Sequence, residues 1–536
     1  MTHLRWVPPR SRGAATYGLS TPRAPDRAAP CTWAFLSGLR EDEFFGNLLA
    51  AGAPDPRRDP DMSDNRPTLT PFFEPKSVAI IGASGVAGKA GHELLRNVLA
   101  NGFPGRLHPV NPRGGEILGL PVSTSVAGLP DGVDLALVVL PAEATPGAVR
   151  ECAARGIRHV VLMAGGFAEV DEAGAQIQQE LADIVRETRI RLMGPNISGH
   201  TSTPAAFTSA FFPLGKIRRG PVSVIAQTGN FATHTMKYIL SGEHYGVCRV
   251  IGLGNKVDID ETDALAYLAE DSETTAILLY LESFKRPARF LEVARSVTRR
   301  KPVVILKSGA TEAGRQAAVA HTAALAAEDR VVDGMLRQAG IVRVPDYTHL
   351  LLAMKTLSMV PLPAGNRLSF LAPSGALLVV LSDLCVRLGL EVPPLLPENV
   401  QRLQEISPPY IRMRNPVDIW AAATVKGVEF GYREGMEAVL RDPNVDAVIP
   451  VLMLTKEIGV PSFDFLLALR AKYPRKPILT TFSGDKDCME QCKASLEPRG
   501  MPTFFEIEYP FIALSILIRC ARAMTRPAAL SLVPPR

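Results

Sequence analysis

His321 lies in a run of small residues, AVAHTAALA, downstream of the apolar segment that ends at Lys307–Gly309. Imidazole attacks phosphoryl groups near neutral pH, and the small neighbours leave its ring uncrowded. A lone histidine serves equally well as a structural group, so this residue by itself leaves both roles open. Three strand-to-helix turns offer the complementary chemistry. Gly82-Ala83-Ser84 with Gly88 and Gly91, then Gln227-Thr228-Gly229-Asn230, then Ser374-Gly375, each close an apolar run and precede a helical pattern. Backbone amides and the dipole at a helix N-terminus favour phosphate, and glycine lets it approach closely. The first turn is not a dinucleotide fingerprint. Its second glycine is displaced, and VNP stands where an acid would hold a ribose hydroxyl, which disfavours a nicotinamide oxidoreductase. Asp258 and Asp260, in KVDIDETD, could pair around a metal but fit better as caps of the following helix. Cys488 and Cys492 stand at i,i+4, but no second Cys/His pair follows to complete a zinc site, and no metal is expected.

These groups need elements to position them. SVAIIG, LHPVNP, VDLALVVLP and IRHVVLMAGGF read as buried strands alternating with helical patterns, the first of which is HELLRNVLANG. The pattern restarts at PVSVIAQTGNFATHTMKYIL, with TAILLYLESF and KPVVILKSG following. It restarts again at RLSFLAPSGALLVVLSDLCVRLG, with VDAVIPVLML and KPILTTFSG. Short apolar strands alternating with helices predict parallel sheets covered on both faces. The expected fold is α/β: three successive doubly wound, Rossmann-like or flavodoxin-like domains over 67–199, 200–360 and 361–536, with PLPAGN as the clearest linker. Residues 1–66 are Arg-, Pro- and Ala-rich at their start and are expected to be a disordered or mis-assigned extension, with a transit peptide the lesser alternative.

Together the motifs resemble the α subunit of the NDP-forming acyl-CoA synthetases, the ADP-forming acetate–CoA ligases related to succinyl-CoA synthetase. The resemblance runs from about residue 70 to the C-terminus through SVAIIGAS, HPVNPRGGEILGLPV, AGGF, GPNISG, AQTGNF, GLGNKVDIDETD, ILLYLES, KPVVILKSGATEAG, AHTAAL and NPVDI, in that order. It implies that an acyl-CoA and phosphate form an acyl-phosphate, that a histidine takes the phosphoryl group, and that ADP receives it. By the motif match, His321 would be that histidine and Glu282 the acid that orients it; a strand-end carboxylate in a salt bridge is the other reading of Glu282. Gln227, Thr228, Gly229 and Asn230, with Ser374 and Gly375, would stabilise the phosphoryl group. Coenzyme A would be held by Gly82, Ala83, Ser84, Gly88, Lys89, Val110, Asn111, Pro112, Pro141, Gly194, Pro195 and Asn196, although Lys89 reads equally as a solvated lysine.

The chain departs from the family where Ala323 replaces the glycine after His-Thr, where Ala376 replaces the second of two glycines, and where Ile197 replaces a cysteine. Those departures motivate a second reading, a CoA- or acyl-CoA-binding protein that has lost phosphoryl transfer. No residues remain for an ATP-grasp module, so the resemblance implies an αβ hetero-oligomer in which a β subunit holds ATP or ADP with Mg2+. The acyl substrate would be a small carboxylic acid.

Composition agrees with this reading. The 536 residues are 46% hydrophobic and 21% charged, with a net charge of +5; interleaved charges of that size do not suit a nucleic-acid binder. No apolar run reaches the roughly 18 residues of a membrane span, so no membrane association is expected. Seven scattered cysteines read as reduced thiols of a cytoplasmic protein.

Overall fold

In the computed structural model the described residues are 68–322, 328–457 and 462–526, with side chains described throughout except at 318–322. The extension expected over 1–66 lies outside them, as does Ala323. Among the described residues no helix is long and apolar enough to cross a membrane.

The first sheet contains Ser77–Ile81 (β1), Arg106–Val110 (β2), Leu135–Val138 (β3), His159–Leu162 (β4) and Arg191–Met193 (β5). They are parallel throughout, in the order β2-β1-β3-β4-β5. The second contains Thr201–Ser202 (β6), Phe207–Thr208 (β7), Val222–Ala226 (β8), Arg249–Gly252 (β9), Ala276–Leu281 (β10), Val303–Lys307 (β11) and Val342–Arg343 (β12). Its order is β12-β11-β10-β8-β9-β6-β7, with β6 and β7 added antiparallel at one edge. The third contains Leu368–Ala372 (β13), Val417–Asp418 (β14), Ala447–Leu454 (β15), Thr480–Gly484 (β16) and Thr503–Phe504 (β17), in the order β14-β13-β15-β16-β17. Every residue of β1, β8 and β13 is buried, as a parallel strand covered on both faces requires.

The parallel core of each sheet therefore has one topology, in which the opening strand lies second and the order reverses beside it. That is the flavodoxin-like arrangement, and its crevice opens at the carboxyl ends of the two strands flanking the reversal. Those pairs are β1/β3, β8/β10 and β13/β15. The glycine turns found in the sequence are the ones that leave β1, β8 and β13.

The helices that leave these turns are Ala90–Ala100 (α1), Met236–Gly242 (α2) and, in the third sheet, Gly375–Arg387. Between them come Glu261–Glu270 (α3), which follows β9, and Glu312–Thr322 (α4), which follows β11; Gly375–Arg387 is α5. The first two sheets share an apolar core in which Met193 and Ile197 meet Ile225, Ile251 and Leu253. The C-terminal helix Tyr509–Thr525 (α6) packs Leu517 and Cys520 on the second sheet and Phe511 and Leu514 on the third.

Candidate functional site

The first crevice is shaped by glycine. Gly82 leaves β1 at φ 91°, and a Cβ there would stand 2.3 Å from the Val139 carbonyl oxygen of the neighbouring strand end. Gly91 lets α1 close on the same turn, since its Cβ would meet the Gly82 oxygen at 2.2 Å. Asn111, after β2, donates its side-chain amide to the Ala83 carbonyl at 2.8 Å, and the Ser84 hydroxyl accepts from the Val86 amide at 3.1 Å. Gly88, at φ 84°, has open space where a Cβ would project. Lys89 is exposed at the N-cap of α1, while Pro112 and Pro141 are exposed at the ends of β2 and β3. An exposed helix N-terminus with glycines suits a phosphate-bearing ligand. Replacing Gly82 with Ala is expected to cost about 2–4 kcal/mol, from left-handed strain plus a clash with fixed backbone. Urea denaturation would read this as a lower midpoint, and an unchanged midpoint would refute the close approach.

Gly194, Pro195 and Asn196 are placed differently. They follow β5, two strands beyond β3, where the Asn196 amide donates to the Ala164 oxygen at 2.8 Å beyond the end of β4, and they also meet the loop that follows β9 of the second sheet. The Asn255 amide donates to the Pro195 oxygen at 2.9 Å and the Val257 amide to the Gly194 oxygen at 3.1 Å. A Cβ on Gly254 would stand 1.9 Å from the Pro195 oxygen, so only glycine lets the two loops touch.

The second crevice is organised by one side chain. Gln227, 5% exposed at the end of β8, accepts at Oε1 from the backbone amides of Glu282 and Ser283, both at 3.0 Å. Its Nε2 donates to Ser283 Oγ at 3.1 Å. The carboxyl ends of β8 and β10 are thus fixed to one another, with buried Glu282 just beyond β10. The chain then turns through Thr228 and Gly229 and winds once as a π-helix, Phe231–Thr235, before α2. Such wide turns recur at functional sites. Here Thr228 Oγ1 accepts from the Asn230 amide at 3.2 Å, Thr233 Oγ1 donates to the Gly229 oxygen at 2.9 Å, and the Asn230 side chain donates to Tyr347 Oη at 3.2 Å. A Cβ on Gly229 would meet Ser198 Oγ at 2.2 Å, so this turn rests on the loop that leaves β5.

Residues that sequence reasoning missed join the two crevices. Asn255 Nδ2 donates to Glu169 Oε2 at 2.6 Å and to Gln178 Oε1 at 2.8 Å. Burial pushes the Glu169 carboxyl up, but the bond from Asn255 and those from the Gly166 and Phe167 amides prevail and hold it below the usual range. The next residue, Lys256, reaches the other way into the second crevice, donating to Gln227 Oε1 at 3.2 Å. The motifs AGGF, GPNISG, GLGNKVD and AQTGNF thus form one junction.

The remaining predicted residues divide. Asp260 caps α3 through the amides of Thr262 and Asp263 in a capping box, as its position suggested. Asp258 does not cap; it accepts from Arg191 Nε and the Leu192 amide, each at 2.9 Å. Cys488 and Cys492 are both buried in an apolar core. Ser374 and Gly375 open α5 with Asp418 Oδ2 3.8 Å from where a Gly375 Cβ would be. His321 belongs to the last turn of α4, and its side chain lies outside the described residues.

Comparison with known proteins follows this architecture. Residues 76–200 match the CoA binding domain family, 219–357 the succinyl-CoA ligase like flavodoxin domain family and 369–527 the Ligase-CoA domain family. The acetate–CoA ligase [ADP-forming] I subunit alpha of Pyrococcus furiosus is 32% identical over 85% of this chain and 98% of its own length. The chain belongs to the ADP-forming acetate–CoA ligase family. Another relative, the acetate–CoA ligase [ADP-forming] II of Archaeoglobus fulgidus, is 35% identical over 82% of this chain, which spans only 65% of that longer protein. Among solved structures, the dinucleotide forming acetyl-coenzyme A synthetase 1 of Ca. Korarchaeum cryptofilum, in complex with phosphate and ADP, superposes with a TM-score of 0.79. It is 29% identical and covered over 97% of its length, against 85% of this ligase-family chain.

Proposed function

We propose that the chain is the acyl- and phosphoryl-transferring part of an NDP-forming acyl-CoA synthetase. It interconverts a small carboxylic acid, CoA and ATP with acyl-CoA, ADP and phosphate. The observation that carries this reading is the Gln227 bracket, which sets a helix N-terminal turn beside a buried carboxylate at the topological switch point of the second sheet. In the first crevice Gly82–Ser84, Gly88, Lys89 and Asn111 would hold the phosphate end of CoA. Val110, Pro112, Pro141 and Gly194–Asn196 would complete the CoA site, the last three from the junction between the sheets.

Phosphate attacks the thioester carbonyl of the acyl-CoA, the C–S bond breaks, and CoA leaves as the thiol. The imidazole of His321 then attacks the phosphorus of the acyl-phosphate, an N–P bond forms, and the carboxylate leaves. An oxygen of ADP finally takes the phosphoryl group and regenerates the imidazole. Glu282 would orient the imidazole, while the Gln227–Asn230 turn, and Ser374–Gly375 from the third sheet, would bind the phosphoryl oxygens through backbone amides. The nucleotide, with Mg2+, would sit on an ATP-grasp β subunit, a reading supported by the α-subunit relative that this chain spans almost entirely.

Co-expression with an ATP-grasp partner tests this. Thioester formation from CoA, ATP and a short carboxylic acid is expected, with one ADP released per thioester. CoA binding without nucleotide-linked thioester formation, for acetate, branched, aryl and dicarboxylic acids alike, would instead support the CoA-binding reading.

A further inference from the structure

Lys256 is a buried cation that the proposed reaction does not use. It has left-handed backbone at φ 56°, and its side chain is 5% exposed. Neither feature is favourable alone, because left-handed backbone strains a residue with a Cβ and burial strips the ammonium of water. Its contacts explain why it is there. The ammonium lies 3.0 Å from Oε2 of fully buried Glu261, whose other oxygen accepts from the Lys285 amide at 2.7 Å. Its other donations go to Ser283 O at 2.9 Å, Ser283 Oγ at 3.1 Å and Gln227 Oε1 at 3.2 Å. The Glu261 pair takes one of the three ammonium hydrogens, and what the site selects is where the others go.

All three contacts lie on the strand ends that flank the second crevice. The Gln227 oxygen is the same atom that holds the Glu282 and Ser283 amides. Lys256 is also anchored on the opposite side. Asn255 before it and Val257 after it bond the Pro195 and Gly194 oxygens, and Lys285 Nζ donates to the Val257 oxygen at 2.7 Å.

We propose that Lys256 is a positioning residue for phosphoryl transfer: acting through Gln227, it fixes the distance between the Gln227–Asn230 turn and the Glu282 carboxylate from a loop seated on the first sheet. The proposal rests on the phosphohistidine reading above and assigns the junction a part in it.

The test is the half-reaction of the full chain with acetyl-, isobutyryl- or phenylacetyl-CoA and 32P-orthophosphate, read as acid-labile label on the protein. Lys256→Met removes the ammonium but leaves Glu261 buried and unpaired. The double variant Lys256→Met/Glu261→Gln removes the ion pair as a unit, which folded proteins tolerate much better. Both variants are expected to label at least tenfold more slowly at saturating thioester, with the half-saturating thioester concentration within twofold of wild type. A lysine that serves only stability would not produce that split. The inference is overturned if the double variant labels at the wild-type rate, if only its half-saturating concentration moves, or if it fails to fold by circular dichroism. A wild-type chain that binds CoA but takes no label from any of the three thioesters removes the phosphohistidine reading itself, and this inference with it.

Discussion

Replacing His321 with Ala is expected to abolish phosphoryl carriage while leaving CoA affinity within about twofold of wild type. The nucleophile has no substitute in the proposed route, because both half-reactions pass through one N–P bond. Removing it should lower acyl-CoA synthesis by at least about 10³-fold, the scale on which activated nucleophiles act. The two properties separate because most residues assigned to CoA lie on the first sheet, whereas His321 lies in the last turn of α4, after β11 of the second. Alanine is the best helix former, so the substitution does not disturb that last turn. Phosphoryl on imidazole is acid-labile, whereas a phosphoserine or phosphothreonine survives acid. Label supplied as γ-32P-ATP through the partner, or as 32P-orthophosphate with acyl-CoA, should therefore disappear from the variant in both directions. Equal acid-labile labelling of wild type and variant would remove His321 from the mechanism.

Much of this arrangement is legible in the chain because parallel strands buried on both faces are written as uninterrupted apolar runs. SVAII, VSVIA and LSFLA each announce a sheet, and the glycine turns after them announce its crevice. Asp260 was legible for the same reason, since a helix cap is a local event. The order of strands was not. Whether a sheet is flavodoxin-like or Rossmann-like depends on which strands become neighbours, and the opening strand looks the same in both. Nor was the junction legible. Lys256 meets Gln227 from 29 residues away and Asn255 meets Glu169 from 86, so their sequence surroundings resemble a solvated loop. Gly252 and Gly254 were the available signal. Two glycines so near a buried polar pair mark close backbone approach, and Gly254 is where the loops touch. Asp258 shows the converse error, because a helix-cap pattern absorbed a residue whose real partner is Arg191.

Glu282→Gln is expected to lower kcat by about 10²-fold with the KM for CoA unchanged. That loss equals about 2.7 kcal/mol of transition-state stabilisation at 1.36 kcal/mol per tenfold. The substitution isolates charge from shape. Glu282 is 7% exposed, and its backbone is held by its own amide on Gln227 Oε1 at 3.0 Å, a bond that the carboxamide variant keeps. What disappears is the negative charge, which favours an imidazole that becomes positive as it takes the phosphoryl group. The alternative role, a strand-end carboxylate serving ion pairing, makes a different forecast. Burial pushes the Lys307 ammonium down and nearby Arg343 pushes it further, while Asp329 and then Glu282 oppose them. Without Glu282, Lys307 loses part of that support, so a purely structural Glu282 would show itself as reduced stability with kcat preserved. Glu282→Asp discriminates further, since it restores the charge one methylene short and should recover only part of the lost kcat. A glutamine variant that unfolds earlier in urea yet turns over within threefold of wild type would assign Glu282 to stability and require another group to orient the histidine.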